Sequence, residues 1–311
     1  MKIIKWSGKP ISRPGIYSGI PIETYHSAAI CNGPAVSSTD LRTAWKKSMA
    51  HMFDQWACNP NREPRAVSDQ MILGMVAHHI FLGEDNFNSK FIGQPETYRD
   101  LVTAEEKPWH NGAKACKQWN AKQAAKGRTI VPFEQIKAIK GMAASLALEP
   151  LVMAGVLNGQ IECSLFAKDP ETGLWLKGRP DVIPTDSGEY VDLKTAREVT
   201  PYALQYAIRE YGYQMQGALI SIICSELCIP FESFTLMFVE TKRPFCVYPA
   251  PIDKFDLDMG EQQCRAMIRN ITLCIEAGVW PGPFDGHLRP LPIANAERER
   301  IIERLTALGI T

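Results

Sequence analysis

Gly178-Arg179-Pro180-Asp181-Val182-Ile183, followed by Tyr190-Val191-Asp192-Leu193-Lys194-Thr195, is the stretch around which the rest of the chain is organised. In an extended strand successive side chains point to opposite faces, so Asp192 and Lys194 share one face while Val191 and Leu193 take the other. Between the two segments, Pro184-Thr185-Asp186-Ser187-Gly188 carries the residue types of a chain reversal. A hairpin closed there brings Asp181 and Asp192 together, with the Lys194 ammonium beside them. Two carboxylates within a few Å repel unless a cation sits between them, and oxygen donors favour Mg²⁺ or Mn²⁺ over zinc. A lysine next to such a pair can hold or help deprotonate a water, which is the equipment of phosphodiester hydrolysis. Asp-x-Lys alone is common and is usually a solvated or ion-paired face. Pro-Asp, the hairpin, and the apolar flanks on both strands favour a site here.

The chain has 311 residues, 45% of them hydrophobic, enough for one large domain or two. Lys plus Arg and Asp plus Glu both total 34, so no global basic charge announces nucleic acid. A local basic groove around an acidic site remains compatible with that balance. No run approaches the length of a membrane span, and Met1 to Trp6 lacks the apolar core of a signal peptide, so no membrane association and a cytoplasmic location are expected. Nine scattered cysteines fit a reducing compartment better than a disulfide framework. Cys224 and Cys228, one helical turn apart in an apolar run, read as core residues.

In chain order, residues 11–33 are rich in Pro, Gly and Ser and read as an extended arm or loop. After Val36-Ser37-Ser38-Thr39-Asp40 a single helix is expected through about Trp56, with Leu41, Trp45, Met49, Met52 and Phe53 on one stripe. Its other face carries Arg42, Lys46 and Lys47, either solvated or phosphate-binding. A second helix is expected from about Val67 to Phe81. Near its end stand His78, a packed residue or a metal ligand, and His79; Gly74 would let another backbone approach closely. Residues 84–108 read as loop or short helix. Two helices follow, over 111–126 with Lys114, Lys117, Lys122 and Lys126, and over 132–148.

Strands then begin. Residues 161–166 and 174–179 read as a hairpin leading into Asp181, with Glu162 either on the solvent side or a further acidic group at the site. Thr200-Pro201 caps one helix running to about Cys228, which places Tyr206, Tyr213, Gln216 and Ile220 roughly on one side. Strands over 234–239 and 245–248 complete a mixed sheet. A helix over 253–277, a Pro/Gly-rich tail and a terminal helix over 294–308 close the chain.

Taken in order, the Ser-Ser-x-Asp-Leu helix, Leu73-Gly74-x-x-x-His78, Glu171-Thr172-Gly173-Leu174-Trp175, Arg179-Pro180-Asp181, Asp192-x-Lys194-Thr195 and Tyr213-x-x-Gln216 resemble the RecE-like (exodeoxyribonuclease VIII) C-terminal nuclease domain of the PD-(D/E)XK superfamily, a phage and prophage type. The resemblance implies an α+β (α/β) fold: a mixed sheet flanked by helices in one domain over 1–311, with a mainly helical part over 1–150, a catalytic core over 151–280 and a tail over 281–311. It implies His78, Asp181, Asp192 and the main-chain carbonyl of Leu193 as metal ligands. Lys194, Gln216 and Tyr213 would act beside Asp181 and Asp192, and Glu162 matches a recurrent strand glutamate. The implied activity is Mg²⁺-dependent degradation of the 5′ strand of linear duplex DNA in a bacterial host cell, leaving a 3′ tail for a RecT-like single-strand annealing protein. A homo-oligomeric ring is implied too. From their own chemistry, Arg42, Lys46 and Lys47 as cations on a short helix and Ser37 and Ser38 as hydrogen-bond donors are the candidates for gripping the terminal phosphate of a duplex end. An endonuclease, a helicase-associated nuclease and a non-catalytic DNA-binding module are the alternatives; the second adds a four-cysteine iron–sulfur cluster for which the C-terminal region has no pattern.

Overall fold

The computed structural model describes residues 2–63, 68–82, 87–161, 163–284 and 290–310. The chain opens with strands β1 (Ile3–Lys5) and β2 (Gly15–Ser18), helix α1 (Ile22–Tyr25) and strand β3 (Ala35–Val36). Helices α2 (Ser38–Lys46), α3 (Met49–Gln55) and α4 (Asp69–Phe81) follow. A smaller lobe comprises α5 (Phe87–Lys90), β4 (Phe91–Gly93), β5 (Thr97–Arg99), β6 (Glu106–Pro108), α6 (Lys114–Ala124) and β7 (Thr129–Val131). Helices α7 (Phe133–Ala147) and α8 (Pro150–Met153) lead into β8 (Gln160–Ile161), β9 (Ser164–Lys168), β10 (Trp175–Gly178), β11 (Val182–Ile183) and β12 (Glu189–Ala196). Helices α9 (Pro201–Tyr211) and α10 (Tyr213–Glu226) connect to β13 (Ser233–Glu240) and β14 (Val247–Pro251), before α11 (Lys254–Ala277) and α12 (Asn295–Ala307).

Two five-stranded mixed sheets carry the fold, in the orders β14-β13-β12-β11-β8 and β1-β2-β9-β10-β3. In the first, β12 and β13 pair in parallel along their full length, and β11 pairs antiparallel with β12. The alternation expected for β12 holds. Val191 and Leu193 join Met237 and Val239 against Ala77 of α4 and Met142 and Leu146 of α7. On the other face Tyr190, Phe234 and Phe238 pack with α10 and α11, and that core continues into Leu165 and Leu176 of the second sheet. Burying a large aliphatic or aromatic side chain contributes about 1.5–3 kcal/mol, so these layers hold β12 rigidly between helices. This is the α+β arrangement of mixed sheets and flanking helices that was expected.

Several local expectations are corrected. The segment over 11–33 is no loose arm: Ile11, Tyr17, Ile20, Tyr25 and Ile30 are buried against Phe166 and Trp175. Ser48 divides the early helix in two, because its side chain accepts the His51 N–H and caps α3, and Trp45 is left 48% exposed. Gly212, at a left-handed φ of 63°, likewise divides the helix over 200–228 into α9 and α10, leaving Tyr206 exposed. Residues 161–166 are not one strand, since β8 and β9 belong to different sheets; Glu162 lies outside the described residues, as does the expected helix start at Val67. The segment over 84–108 supplies strands β4, β5 and β6, and the last strand of the first sheet starts at Val247 rather than Phe245. Cys224 is buried, but Cys228 is exposed. No helix among the described residues is long and apolar enough to cross a membrane.

Candidate active site

Three elements converge where β11 enters the first sheet. Asp181, at the foot of β11, accepts the Leu193 N–H at 2.5 Å and pairs with Nδ1 of His78 at 3.1 Å. His78, on α4, also donates from Nε2 to the Leu193 carbonyl at 2.8 Å. Asp192 is buried on β12; its Oδ1 accepts from Nε2 of Gln216 at 2.8 Å, and its Oδ2 pairs with the Lys194 ammonium. That ammonium lies over the Tyr213 ring, 5.2 Å from its centre, and the Arg42 guanidinium stands 5.8 Å from the same ring. Strand alternation puts Asp192 and Lys194 on one face, and the bend at Gly212 turns Tyr213 and Gln216 of α10 onto that face.

The electrostatics follow from this packing. Burial disfavours the ionised form of Asp181, but the charge and hydrogen bond of His78 outweigh it and hold the carboxyl below its usual range. Burial and then the charge of Asp181 push Asp192 up, against the pull of Lys194. Burial alone would lower His78, yet Asp181 lifts it to about 9. Lys194 is raised because its carboxylate neighbours outweigh its burial. The cluster is thus a buried and a partly buried carboxylate facing an imidazolium and an ammonium.

The sequence-derived residues are therefore brought together in part. Asp181, Asp192, Leu193, Lys194, His78, Gln216 and Tyr213 form one constellation. Ser37, Ser38 and Arg42 line the same cleft of about 930 Å³ as His78, Asp181, Lys194 and Gln216, whereas Lys46 and Lys47 are not among its lining residues. Ser37 directs both its hydroxyl and its N–H at Asp40, at 2.8 and 2.7 Å, capping α2. Lys46 bonds to the Arg209 and Glu210 carbonyls and pairs with the Glu210 carboxylate at 3.5 Å, so it closes the end of α9; Lys47 is exposed. Gly74 makes no close backbone approach, since a Cβ there would meet nothing nearer than the Thr195 hydroxyl at 3.9 Å. His79 is buried beside the Phe87 and Phe91 rings.

Two cations of the cleft wall escaped the sequence reading. Lys177 is 3% exposed, donates to the Tyr25 carbonyl at 2.9 Å and stands 4.9 Å from the Tyr25 ring; burial lowers its pKa. Arg179 donates to the Ile20 carbonyl at 2.9 Å. A lysine two residues from Trp175, on the same inward face of β10, is the signal that could have revealed the first.

Among the described residues no group of three or more His, Cys, Asp or Glu side chains is arranged to hold a metal ion. The donors present are two carboxylates, a main-chain carbonyl and one imidazole; burial and then the neighbouring Asp181 raise Asp192, and a cation between the two carboxylates would favour its ionised form. Such a set fits a hard divalent cation in an open site and does not fit a closed structural zinc site.

The family described as a PDDEXK-like domain of unknown function (DUF3799) matches residues 38–286. Among solved structures, a protein of Eubacterium rectale provisionally described as an exonuclease superimposes with a TM-score of 0.59 at 14% identity, covering 90% of this chain and 98% of that one. The structure of SSO0001 covers 70% of this chain and 100% of its own at 18% identity, with a TM-score of 0.27. No curated protein sequence matches the chain significantly.

Proposed function

Since the chain belongs to this PDDEXK-like family, whose match takes in every residue of the constellation, we propose that it is a Mg²⁺-dependent DNA exonuclease of the RecE-like type. It would degrade the 5′ strand of linear duplex and leave a 3′ single-stranded tail. The observation that carries the reading is the meeting of Asp181, Asp192 and Lys194 with Gln216 and His78, all but Asp192 lining a large cleft together with Arg42, Lys177 and Arg179. The finer assignment rests on the ordered motifs that resemble RecE-like nucleases; the provisional description of the Eubacterium rectale structure as an exonuclease agrees with a nuclease and does not bear on the RecE-like type.

Asp181, Asp192, the Leu193 carbonyl and His78 are the residues that would hold Mg²⁺ or Mn²⁺. Such an ion supplies Lewis-acid polarisation of the scissile phosphate and charge stabilisation of its transition state. Lys194 remains an ammonium because Asp192 and Asp181 favour its charge. Beside such an ion it would orient the attacking water and counter charge that develops on the phosphate. Gln216 fixes Asp192 through its Oδ1, and the Tyr213 ring keeps the ammonium in place. Arg42, Lys177 and Arg179 line the cleft, and with Arg42 bonded to the Ser38 and Tyr211 carbonyls, Lys177 to that of Tyr25 and Arg179 to that of Ile20, they would lend it positive potential toward a phosphate backbone. An annealing protein would take over the tail, and a ring of copies would hold the enzyme on its duplex.

A time course on end-labelled linear duplex with Mg²⁺, run beside covalently closed duplex, tests this. Consumption of the linear DNA from its 5′ ends with closed circles spared is expected. Equal cleavage of closed circles would replace the exonuclease by an endonuclease using the same side chains. Absence of any metal-dependent cleavage would end the nuclease reading.

A further inference from the structure

From Trp109 to Pro132 the sequence carries Lys114, Lys117, Lys122, Lys126 and Arg128 without one Asp or Glu, although the whole chain balances 34 basic against 34 acidic residues. The structure gives this segregation a shape. At 100° per residue, Lys114, Lys117 and Lys122 fall within about 140° of arc on α6. Cys116 and Gln123, the buried residues of that helix, lie on the opposite side. Lys126 follows just past the helix end, before Gly127 turns the chain at φ 68° toward β7. All four lysines are exposed, and among the described residues none has an acidic partner.

A merely solvated helix in the same molecule looks different. On α12, Glu297, Arg298, Glu299, Arg300, Glu303 and Arg304 mix the two signs, and Arg300 pairs with Glu297 at 3.2 Å. The lysine face of α6 keeps one sign, and that field attracts a polyanion. Its platform is packed, since Cys116 is fully buried and the Trp109 and Trp119 rings meet edge-on at 5.3 Å. Its position is equally telling. Gly127 and Thr129, immediately after Lys126, line the cleft that holds Asp181 and Lys194.

We propose that the lysine face of α6, continued by Lys126 to the cleft rim, docks the phosphate backbone of the DNA that extends out of the active site. The inference builds on the nuclease reading and adds a substrate-tracking surface outside the catalytic cleft. From Lys114 to Lys122 the helix rises about 12 Å, which is the span of about three to four phosphates along one strand. The contacts are to backbone alone, so the surface follows the nucleic acid whatever its sequence.

The test is the salt dependence of binding, measured in EDTA so that nothing is cut. A fluorescent duplex is titrated with wild type and with the triple variant Lys117→Gln, Lys122→Gln, Lys126→Gln between about 50 and 200 mM salt. Each lysine that meets a duplex phosphate contributes about 0.9 to the slope of log Kd against log salt, so the triple variant should be shallower by up to about 2.7. Replacement of the same three residues by Arg should keep the wild-type slope, and all variants should melt with wild type because the side chains are exposed. Should the triple variant fold poorly, Lys117→Gln and Lys122→Gln singly should each flatten the slope by about 0.9. A Gln variant with wild-type Kd and slope overturns the docking surface. A wild type that neither binds duplex in EDTA nor cuts it with Mg²⁺ overturns the nuclease reading instead.

Discussion

Replacing His78 by Ala in metal-free protein removes both polar contacts of this side chain with the hairpin: Nδ1 to Asp181 at 3.1 Å and Nε2 to the Leu193 carbonyl at 2.8 Å. Burial opposes the imidazolium, but Asp181 more than compensates and holds His78 at about 9 against an ordinary 6.5. At about 1.4 kcal/mol for each tenfold change in acidity, that rise corresponds to roughly 3.5 kcal/mol at most. The sign follows from linkage. A folded value above the unfolded one stabilises fully below about pH 6.5, and the contribution is lost as pH rises through about 9. Urea denaturation in EDTA across that range should therefore find His78→Ala less stable than wild type by about 2–3 kcal/mol near pH 6, with the gap closing toward pH 9 and above. Added Mn²⁺ should raise the stability of wild type well above that of the variant, whereas His79→Ala should perturb packing and leave the metal titration unchanged. A gap that stays flat with pH, or equal Mn²⁺ titrations for wild type and His78→Ala, would refute the ion pair or the ligand role respectively.

Asp192→Asn and Lys194→Ala should each cut hydrolysis of linear duplex at least about 100-fold while keeping the wild-type circular dichroism spectrum; near-normal turnover in either would remove this cluster from the chemistry. Gly260→Val should cost at least about 2 kcal/mol, because a Cβ there would sit 2.7 Å from the Gln214 carbonyl on α10 and neither backbone can move away freely; an unchanged melting temperature would contradict that close crossing. Ellman's reagent should reach the exposed Cys228 and Cys246 first, whereas burial pushes the Cys31 and Cys264 thiols up to about 12 and Cys224 up to about 11. Nine thiols reacting together in native buffer would count against this packing.

The catalytic strand was legible because alternation is a local rule: Val191 and Leu193 turn to one core and Asp192 and Lys194 to the other face whatever the strand pairs with. His78 and Gln216 were legible only through their order in a family pattern, since nothing local on α4 or α10 says that either will meet β12. Helix breaks at Ser48 and Gly212 were hidden inside continuous apolar periodicity, where one capping hydroxyl or one left-handed residue decides. Lys177 was hidden for the opposite reason. Its strand reads as ordinary, and its burial against Tyr25 depends on a segment about 150 residues earlier whose Pro and Gly content suggests a loop.

That same partnership has a consequence for how the protein is made. Strands β2 and β3 lie within the first 36 residues, yet they pair with β9 and β10, which end at Lys168 and Gly178. At a synthesis rate of about 5–20 residues per second, the ribosome needs roughly 7–30 s to deliver the missing strands. During that interval Ile16, Tyr17, Ile30 and Val36 lack the β9 and β10 side of their sheet and core. The N-terminal cleft wall is thus completed only after the hairpin that precedes Asp181 has emerged.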